Sequence, residues 1–254
     1  MRKIAIANQK GGVAKTTTTI NVGHALAELG KRVLLVDMDP QGHLAEGLGL
    51  IAGDLENEIS AVLDGRATLS EIIVNVRPNL DLAPSNIRLS TVEVKLFLKA
   101  RREDKLKTAM KTVEDRYDFA LIDCPPSLGI LTVNALSAAD EVLIPMTTDF
   151  YSMLGVDLLL QSVEEMRSEL NPNLKVLGVI PTRGTRTVNA REVLNHTRRE
   201  LEGRVRVFDS IVKETVRFRE AASLGKTALE HAPSLPSVEA YREIAREIAK
   251  EPLK

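Results

Sequence analysis

Aromatic residues and cysteine are scarce in this chain of 254 residues. It contains five Phe, three Tyr and no Trp, and its single cysteine is Cys124. Because 44% of the residues are apolar but only 3% are aromatic, the core must be built from aliphatic side chains. A single cysteine excludes an internal disulfide and any cysteine-rich metal or iron–sulfur site held by one chain. Such cysteine usage is typical of a reducing cytosol.

Long apolar runs and a strong net charge are also missing. No run approaches the length of a membrane span, and residues 1–8 contain too few apolar residues for a signal peptide. The net charge of −1 excludes a uniformly basic nucleic-acid-binding chain but allows a local basic patch. We therefore expect a cytoplasmic protein.

Short apolar runs alternate with longer helical patterns along the chain. Several runs are continuous, such as residues 33–36 and 142–144, as is typical of strands buried on both faces of a parallel sheet. The predicted strands are 3–9, 32–39, 80–84, 119–123, 141–146, 175–182 and 205–211. The predicted helices are 16–29, 91–114, 151–170, 188–201 and 237–250, with surface helices in 43–79. The pattern predicts an α/β fold with one doubly wound, mostly parallel sheet flanked by helices, forming a single domain over residues 1–254.

A glycine-containing loop with two lysines joins the first predicted strand to the first predicted helix. Its sequence is Lys10-Gly11-Gly12-Val13-Ala14-Lys15-Thr16-Thr17. A strand–loop–helix of this kind aims backbone N–H groups and a helix N-terminus at an anion. Lys15 can reach the β- and γ-phosphates of a nucleotide, and the Thr16 hydroxyl can bind Mg²⁺. The alternative is a glycine-rich turn with two solvated lysines, but the coincidence of all these features favours a phosphate loop.

The loop departs from the ordinary P-loop pattern, because Gln9 and Ala14 occupy its two glycine positions. If the second position requires a positive φ, alanine costs about 1 kcal/mol there. The second lysine, Lys10, stands too far back along the loop to duplicate the role of Lys15. The ordinary P-loop pattern assigns no function to this second lysine, so the loop carries one cation more than that pattern requires.

Three aspartates lie at the ends of predicted strands. Asp37 and Asp39 end the second strand, and Asp123 ends the strand 119–123. Ligands of open α/β sheets sit outside the carboxyl ends of the strands, so these carboxylates should share one edge with the loop. Phosphoryl transfer needs an acid that supports Mg²⁺ and a group that positions the attacking water. The alternative is that strand-end aspartates only cap the next loop or helix, and it stays open above all for Asp37.

The segment Lys10-Gly11-Gly12-x-x-Lys15-Thr16 resembles the deviant Walker A motif of the ParA/MinD ATPases, whose signature is the first lysine. Three further segments also resemble motifs of these ATPases. They are Val36-Asp37-Met38-Asp39-Pro40-Gln41-Gly42, Asp123-Cys124-Pro125-Pro126-Ser127 and Ser223-Leu224-Gly225-Lys226. The resemblance runs from residue 1 to about residue 250 and is closest to the short ParA/Soj partition ATPases.

The resemblance implies an ATP hydrolase that uses Mg²⁺. It implies that Asp123 is the Walker B acid, that Asp39 orients the attacking water, and that Asp37 supports the coordination of Mg²⁺. Lys10 would reach across a nucleotide-sandwich dimer to the partner's phosphates, acting like an arginine finger supplied in trans. The residues expected to contact the nucleotide are Lys10, Gly11, Gly12, Val13, Ala14, Lys15, Thr16, Thr17, Asp39, Pro126, Thr182 and Arg183.

Residues 183–219 form a locally basic stretch with ten basic and five acidic residues. Such a stretch can contact phosphates without reading sequence, and its binding should depend steeply on salt. The resemblance implies that Arg186 and Arg217 hold DNA non-specifically, and Lys213 is assigned to the same surface. The alternative is a solvated helix face with Glu–Arg pairs, which we favour for Arg198 and Arg199.

The resulting hypothesis is a DNA-partition ATPase. ATP would drive formation of a homodimer, the dimer would bind nucleoid DNA, and a ParB-like centromere-binding protein would stimulate hydrolysis. Because the first predicted strand begins at Lys3, we expect no N-terminal helix-turn-helix domain.

Two other classes remain as alternatives. A MinD-like or protein-cluster-positioning ATPase would act on a membrane or a protein cargo, but the last predicted helix carries only one ordinary core-facing stripe. A metabolic P-loop enzyme such as an amidoligase would need a nucleophile for glutamine. Cys124 is instead predicted to be a small buried residue.

Overall fold

The computed structural model describes residues 1–149, 152–184 and 188–251. Its strands are β1 (Arg2–Ile6), β2 (Val33–Asp37), β3 (Val74–Arg77), β4 (Leu80–Ala83), β5 (Phe119–Asp123), β6 (Glu141–Thr147) and β7 (Lys175–Thr182). The helices of the first half are α1 (Lys15–Glu28), α2 (His43–Gly47), α3 (Ile59–Asp64), α4 (Leu69–Ile72), α5 (Arg88–Leu96) and α6 (Lys105–Lys111). Those of the second half are α7 (Ile130–Ala138), α8 (Ser152–Glu169), α9 (Val188–Glu200), α10 (Arg217–Ser223), α11 (Ala228–His231) and α12 (Pro236–Lys250).

The strands form one seven-stranded sheet in the order β3-β4-β2-β5-β1-β6-β7. All neighbours are parallel except β3 and β4, which confirms the prediction of a doubly wound, mostly parallel sheet. In the register of the central strands, Asp123 at the end of β5 is level with Ile6 of β1 and Asp37 of β2. The parallel strands therefore place their carboxyl ends, and the aspartates on them, along one edge.

Side chains alternate between the two faces of the sheet, and each face is covered by helices. Ile4 and Leu35 pack on one side against a cluster that includes Tyr241 of α12. Ala5 and Leu34 pack on the other side in a cluster that includes residues of α3, α5, α7 and α8. Both clusters are dominated by aliphatic side chains, in line with the scarcity of aromatic residues. Within the described part of the chain, no helix has the length and apolar character needed to cross a membrane.

The predicted strand 205–211 is wrong. This segment runs beside β7 but pairs with it only at two isolated bridges, Val179 with Val207 and Gly184 with Lys213. Between the two bridges the segment has one residue more than the facing chain of β7 and its extension, so the pairing register shifts between them.

The predicted helix 91–114 is interrupted. Helix α5 ends at Leu96, Arg101 takes a positive φ of 51°, and a 3₁₀ turn precedes α6. Asn134 of α7 stabilises the break, because its side chain donates to the carbonyl of Arg102 and accepts from the amide of Leu106. No glycine or proline marks this position, so local sequence does not signal it.

Residues 43–79 contain the predicted surface helices and also a strand that was not predicted. Strand β3 is antiparallel to β4 and lies at the edge of the sheet. The turn between them contains Pro78 and Asn79, and Asn79 has a φ of 60°. A Pro-Asn pair between two alternating apolar runs is a turn signal that could have located this hairpin.

Candidate nucleotide site

The loop between β1 and α1 has the shape of an anion-binding turn. Gly12 and Ala14 both adopt positive φ values, 74° and 68°, and helix α1 begins immediately afterwards at Lys15. Alanine has no side-chain acceptor, so the first N–H groups of this 14-residue helix are left for a ligand at its N-terminus. The second glycine position of the P-loop pattern, which Ala14 occupies here, therefore does have a positive φ.

Ala14→Gly should stabilise the protein by about 0.5–1 kcal/mol, because glycine removes the steric cost of the left-handed conformation. Part of that gain is offset by the greater freedom of glycine in the unfolded chain. Urea unfolding measures the effect. As a control, Thr17→Gly, two residues inside the helix, should destabilise the protein. A loss of stability in Ala14→Gly would contradict the proposed backbone strain at Ala14.

Lys15 and Thr16 lie against the carboxyl end of β5. Lys15 is buried, with Nζ 3.4 Å from the carbonyl oxygen of Lys10, and burial lowers the pKa of its ammonium while Asp123 counteracts this. The Thr16 hydroxyl donates to Oδ2 of Asp123 at 2.6 Å, and Thr19 Oγ1 lies 3.2 Å from Oδ1. The lysine predicted to bind phosphates, the hydroxyl predicted to bind Mg²⁺ and the predicted Walker B acid therefore lie in one cluster.

Two buried carboxylates stand side by side at this edge. Burial raises the pKa of Asp123 to about 7, and burial together with the charge of Asp123 raises the pKa of Asp37 well above its ordinary value. A pair of carboxylates in such an environment is stabilised in its charged form by a nearby cation. The donor set of carboxylate and hydroxyl oxygens fits Mg²⁺. The described residues contain no cluster of three or more metal-binding side chains, so a metal here would take its remaining ligands from phosphates and water.

Asp39 follows Asp37 on the loop that leaves β2. Its backbone amide donates to Oδ1 of Asp37 at 3.0 Å, and its own Oδ1 accepts from the amide of Gln41 at 3.0 Å. The Ser85 hydroxyl donates to its carbonyl oxygen at 2.8 Å. These bonds fix the backbone on both sides of Asp39, which is partly exposed.

Lys10 is engaged in an ion pair within its own chain. Its Nζ lies 2.5 and 2.6 Å from the two carboxylate oxygens of Asp149 and 3.4 Å from Thr147 Oγ1. Both side chains of the pair are partly exposed, at 33% and 50%. To reach phosphates on another subunit, Lys10 must leave Asp149.

A cavity of about 270 Å³ opens beside the phosphate loop. Residues from the loop, from the segment after β7 and from α10 and α12 line it; they are Gly12, Ala14, Thr17, Arg183, Val212, Lys213, Glu214, Thr215, Phe218, Arg219 and Tyr241. Its position at the loop suits the nucleoside part of a nucleotide. Phe218 and Tyr241, in edge-to-face contact, give it an aromatic wall.

The predicted nucleotide residues outside the loop occupy different positions. The Arg183 guanidinium donates to the carbonyl of Gly12 at 3.0 Å and pairs with Glu214, so it joins the loop to the cavity wall. Thr182 is fully buried and donates to the carbonyl of Val13 at 3.0 Å, which makes it a support for the loop. Pro126 is exposed on the loop after Asp123 and does not line the cavity.

Several arginines of the basic stretch, residues 183–219, form ion pairs with acidic side chains. Arg217 is exposed at the start of α10 and pairs with Glu220 at 2.7 Å, and Lys213 is exposed on the segment before it. Arg198 pairs with Asp209 at 3.2 Å, in keeping with the solvated-face interpretation. Arg186 lies outside the described residues.

Sequence reasoning missed several residues of this region. Asp149 and Thr147 lie at the carboxyl end of β6, where the rule that located Asp37 and Asp123 also applies, so the polar run after Met146 could have identified them. Phe218 and Tyr241 come from distant helices, and no local pattern links them to the loop.

Comparisons with known proteins show a matching family model and relatives that are similar over almost the whole chain. A family model described as an AAA domain matches residues 1–176. The sporulation initiation inhibitor protein Soj of Bacillus subtilis is 41% identical over 248 residues, covering 97% of each chain. The chromosome partitioning protein ParA of Caulobacter vibrioides is 41% identical over 251 residues, covering 98% of this chain and 94% of that protein.

A solved structure is also similar over almost the whole length. It is cobyrinic acid a,c-diamide synthase from Mycobacterium smegmatis with bound ATP analogue and magnesium, at 36% identity and a TM-score of 0.86, covering 98% of this chain and 95% of that one. The full-length identity to Soj and ParA and the deviant phosphate loop on a doubly wound sheet agree with each other. The chain belongs to the ParA/Soj family of partition ATPases.

Proposed function

We propose that this protein is a Mg²⁺-dependent ATP hydrolase that segregates DNA, with its ATPase domain formed by residues 1–254. The observation that carries the proposal is the pair of lysines on one phosphate loop. Lys15 lies within the cluster of Thr16 and Asp123, whereas Lys10 is held outside it by Asp149. The second lysine is available to a nucleotide on another subunit once its local pair is broken.

Each polar group of the site has a role in the proposed reaction. The backbone of residues 10–17 and Lys15 hold the phosphates, and Thr16 and Asp123, with Asp37 beside it, hold Mg²⁺. Asp39 orients the water that attacks the γ-phosphate. Bound Mg²⁺ neutralises charge on the β- and γ-phosphates. The nucleoside occupies the cavity lined by Arg183 and Phe218.

Assembly and DNA binding follow from the same site. ATP lies between two copies of the chain, each Lys10 contacts the partner's phosphates, and the homodimer binds nucleoid DNA without sequence preference. Lys213, Arg217 and Arg186 supply the phosphate contacts. A ParB-like centromere-binding protein stimulates hydrolysis, and the ADP-bound chain leaves the DNA.

An amidation with glutamine as the nitrogen source is a different candidate, considered because the similar structure from Mycobacterium smegmatis is a diamide synthase. A glutaminase step requires a nucleophile such as a reactive thiolate. The single cysteine, Cys124, is 1% exposed, and burial raises the pKa of its thiol. The buried thiol therefore offers no support for this candidate.

The experiment that tests the proposed function measures binding of a random-sequence DNA duplex with ATP, with ADP and without nucleotide, at two salt concentrations. We expect tight binding only with ATP, and a marked loss at the higher salt. Equal or absent DNA binding in all three states would overturn the proposal. Binding to anionic lipid vesicles instead would favour a membrane-positioning ATPase.

Arg217→Ala should weaken DNA binding by about tenfold and reduce the dependence of log affinity on log salt by about one unit per chain. The side chain is 55% exposed, and its present partner, Glu220, is a surface carboxylate that a DNA phosphate can replace. Fluorescence anisotropy of a labelled duplex measures both quantities. Dimer formation, followed by sedimentation, should not change.

The matched control for this prediction is Arg198→Ala, which removes a partly exposed arginine paired with Asp209. It should bind DNA like the natural protein. If both variants bind DNA with full affinity, Arg217 belongs with the solvated arginines and the DNA surface lies elsewhere.

A further inference from the structure

Helix α10 carries Arg217 and ends in the motif Ser223-Leu224-Gly225-Lys226, which has no part in the proposed reaction. The glycine of that motif lies against another glycine. A Cβ added to Gly225 would stand 2.5 Å from the Cα of Gly49, and one added to Gly49 would stand 3.2 Å from the carbonyl oxygen of Gly225. Both residues have positive φ values, 64° and 87°. The two loops therefore touch backbone to backbone, with no room for a side chain.

The loop containing Gly49 is connected to the nucleotide site through α2. This helix begins at His43, six residues after Asp37, and the amide of Leu44 lies 3.3 Å from Oδ2 of Asp37. A change in the position of the Asp37 carboxylate, as on binding of a metal–nucleotide complex, acts directly on the N-terminus of α2. Gly49 lies at the opposite end of the same short helix.

One side chain holds the two loops together. The Arg77 guanidinium, from the edge strand β3, donates to the carbonyl of Gly225 at 2.7 Å and lies 3.5 Å from the carbonyl of Leu48. Its Nε donates to Glu230 at 2.7 Å. The Arg77 side chain is only 20% exposed, so the arrangement is more protected from solvent than an ordinary surface ion pair.

Glu230 extends the connection to helix α1. It forms a capping box with Thr227 at the start of α11, and the Thr227 hydroxyl lies 2.7 Å from Nδ1 of His24. The amide of Ala228 also donates to Asn21 at 2.9 Å. Both His24 and Asn21 belong to the helix that begins at the phosphate loop. The C-terminal end of α10 is thus attached to both parts of the nucleotide site.

We infer that Arg77, with the Gly49–Gly225 contact, is a positioning device that couples the nucleotide state to the orientation of the DNA-binding helix α10. The inference rests on the proposed function, since it concerns how ATP controls DNA affinity. Arg77 contacts neither nucleotide nor DNA in this assignment. A planar guanidinium can serve several acceptors at once, which an ammonium on a flexible chain cannot do in the same geometry.

The test is the ratio of DNA affinity with a non-hydrolysable ATP analogue to that with ADP, measured on a random-sequence duplex. In Arg77→Ala this ratio should fall by about tenfold or more, within the usual range of coupling between two sites. The affinity for the analogue without DNA should stay within about twofold, because the phosphate loop is not changed. By reciprocity, DNA should also lose its ability to tighten binding of the analogue.

If Arg77 only stabilised the structure around α10, Arg77→Ala would lower DNA affinity equally in both nucleotide states, and the ratio would not change. That outcome overturns the inference. Arg77→Lys and Gly225→Ala keep the test valid if Arg77→Ala fails to fold, and both should reduce the ratio. Arg66→Ala, at an exposed arginine paired with Asp64, is the control and should behave like the natural protein. A ratio near one in the natural protein overturns the proposed function itself.

Discussion

Lys15→Ala should lower the affinity for ATP by about 100-fold, equal to about 2.7 kcal/mol. Lys15 begins α1 with its ammonium buried beside the loop, where it would replace water as the partner of the phosphates. Hydrogen bonds to charged groups contribute about 1.5–3 kcal/mol each, and an ammonium can donate more than one. Titration calorimetry with ATP and Mg²⁺ measures the loss directly.

Lys10→Ala is the informative control, because it removes the other lysine of the same loop. It should bind ATP in the monomer with an affinity close to that of the natural protein, yet fail to form the ATP-dependent dimer. If Lys15→Ala keeps its full affinity for ATP, the assignment of residues 10–17 as a phosphate loop is wrong.

Asp39→Ala should lower the rate of ATP hydrolysis by about 100-fold or more, the size of effect expected when a group that positions or activates water is removed. ATP affinity should change little, since the proposed ligands of Mg²⁺ are Thr16 and Asp123 rather than Asp39. The ATP-bound dimer should therefore accumulate. Phosphate release and sedimentation measure the two effects.

The control for Asp39 is Asp54→Ala, which removes an exposed carboxylate from a 3₁₀ turn on the same connection between β2 and β3. It should hydrolyse ATP at the normal rate. Normal turnover in Asp39→Ala would assign the positioning of water to another group. Asp39→Asn distinguishes charge from hydrogen bonding, because the amide keeps an acceptor oxygen at the same place.

The elements that hold the nucleotide site were predictable because each depends on a short pattern. Continuous apolar runs marked the central strands, and the rule that ligands gather at the carboxyl edge placed Asp123 beside the loop that contains Thr16. The P-loop pattern identified Ala14 as the position where a positive φ would be strained, and Ala14 has a φ of 68°. Local chemistry and global topology agree at these positions.

The features that were missed depend on contacts between distant residues. The break before α6 is made by the Asn134 side chain, and the irregular edge beside β7 results from one extra residue between Val207 and Lys213. Arg77 lies in a strand that the sequence pattern left among surface helices, and its partner Glu230 is 153 residues away. No spacing rule relates such positions, since only the folded chain brings them together.

The ion pair between Lys10 and Asp149 has a consequence for how the dimer would respond to protein concentration. If each chain can join a partner only after its Lys10 has left Asp149, both chains of the homodimer must be released, and the apparent dissociation constant is the intrinsic one divided by the square of the released fraction. If one chain in about ten is released, dimers would appear at about 100-fold higher concentration than the interface alone would require. In the proposed dimer the pair would thus raise the concentration needed for assembly, which would begin where the chain is locally abundant and lag where it is dilute.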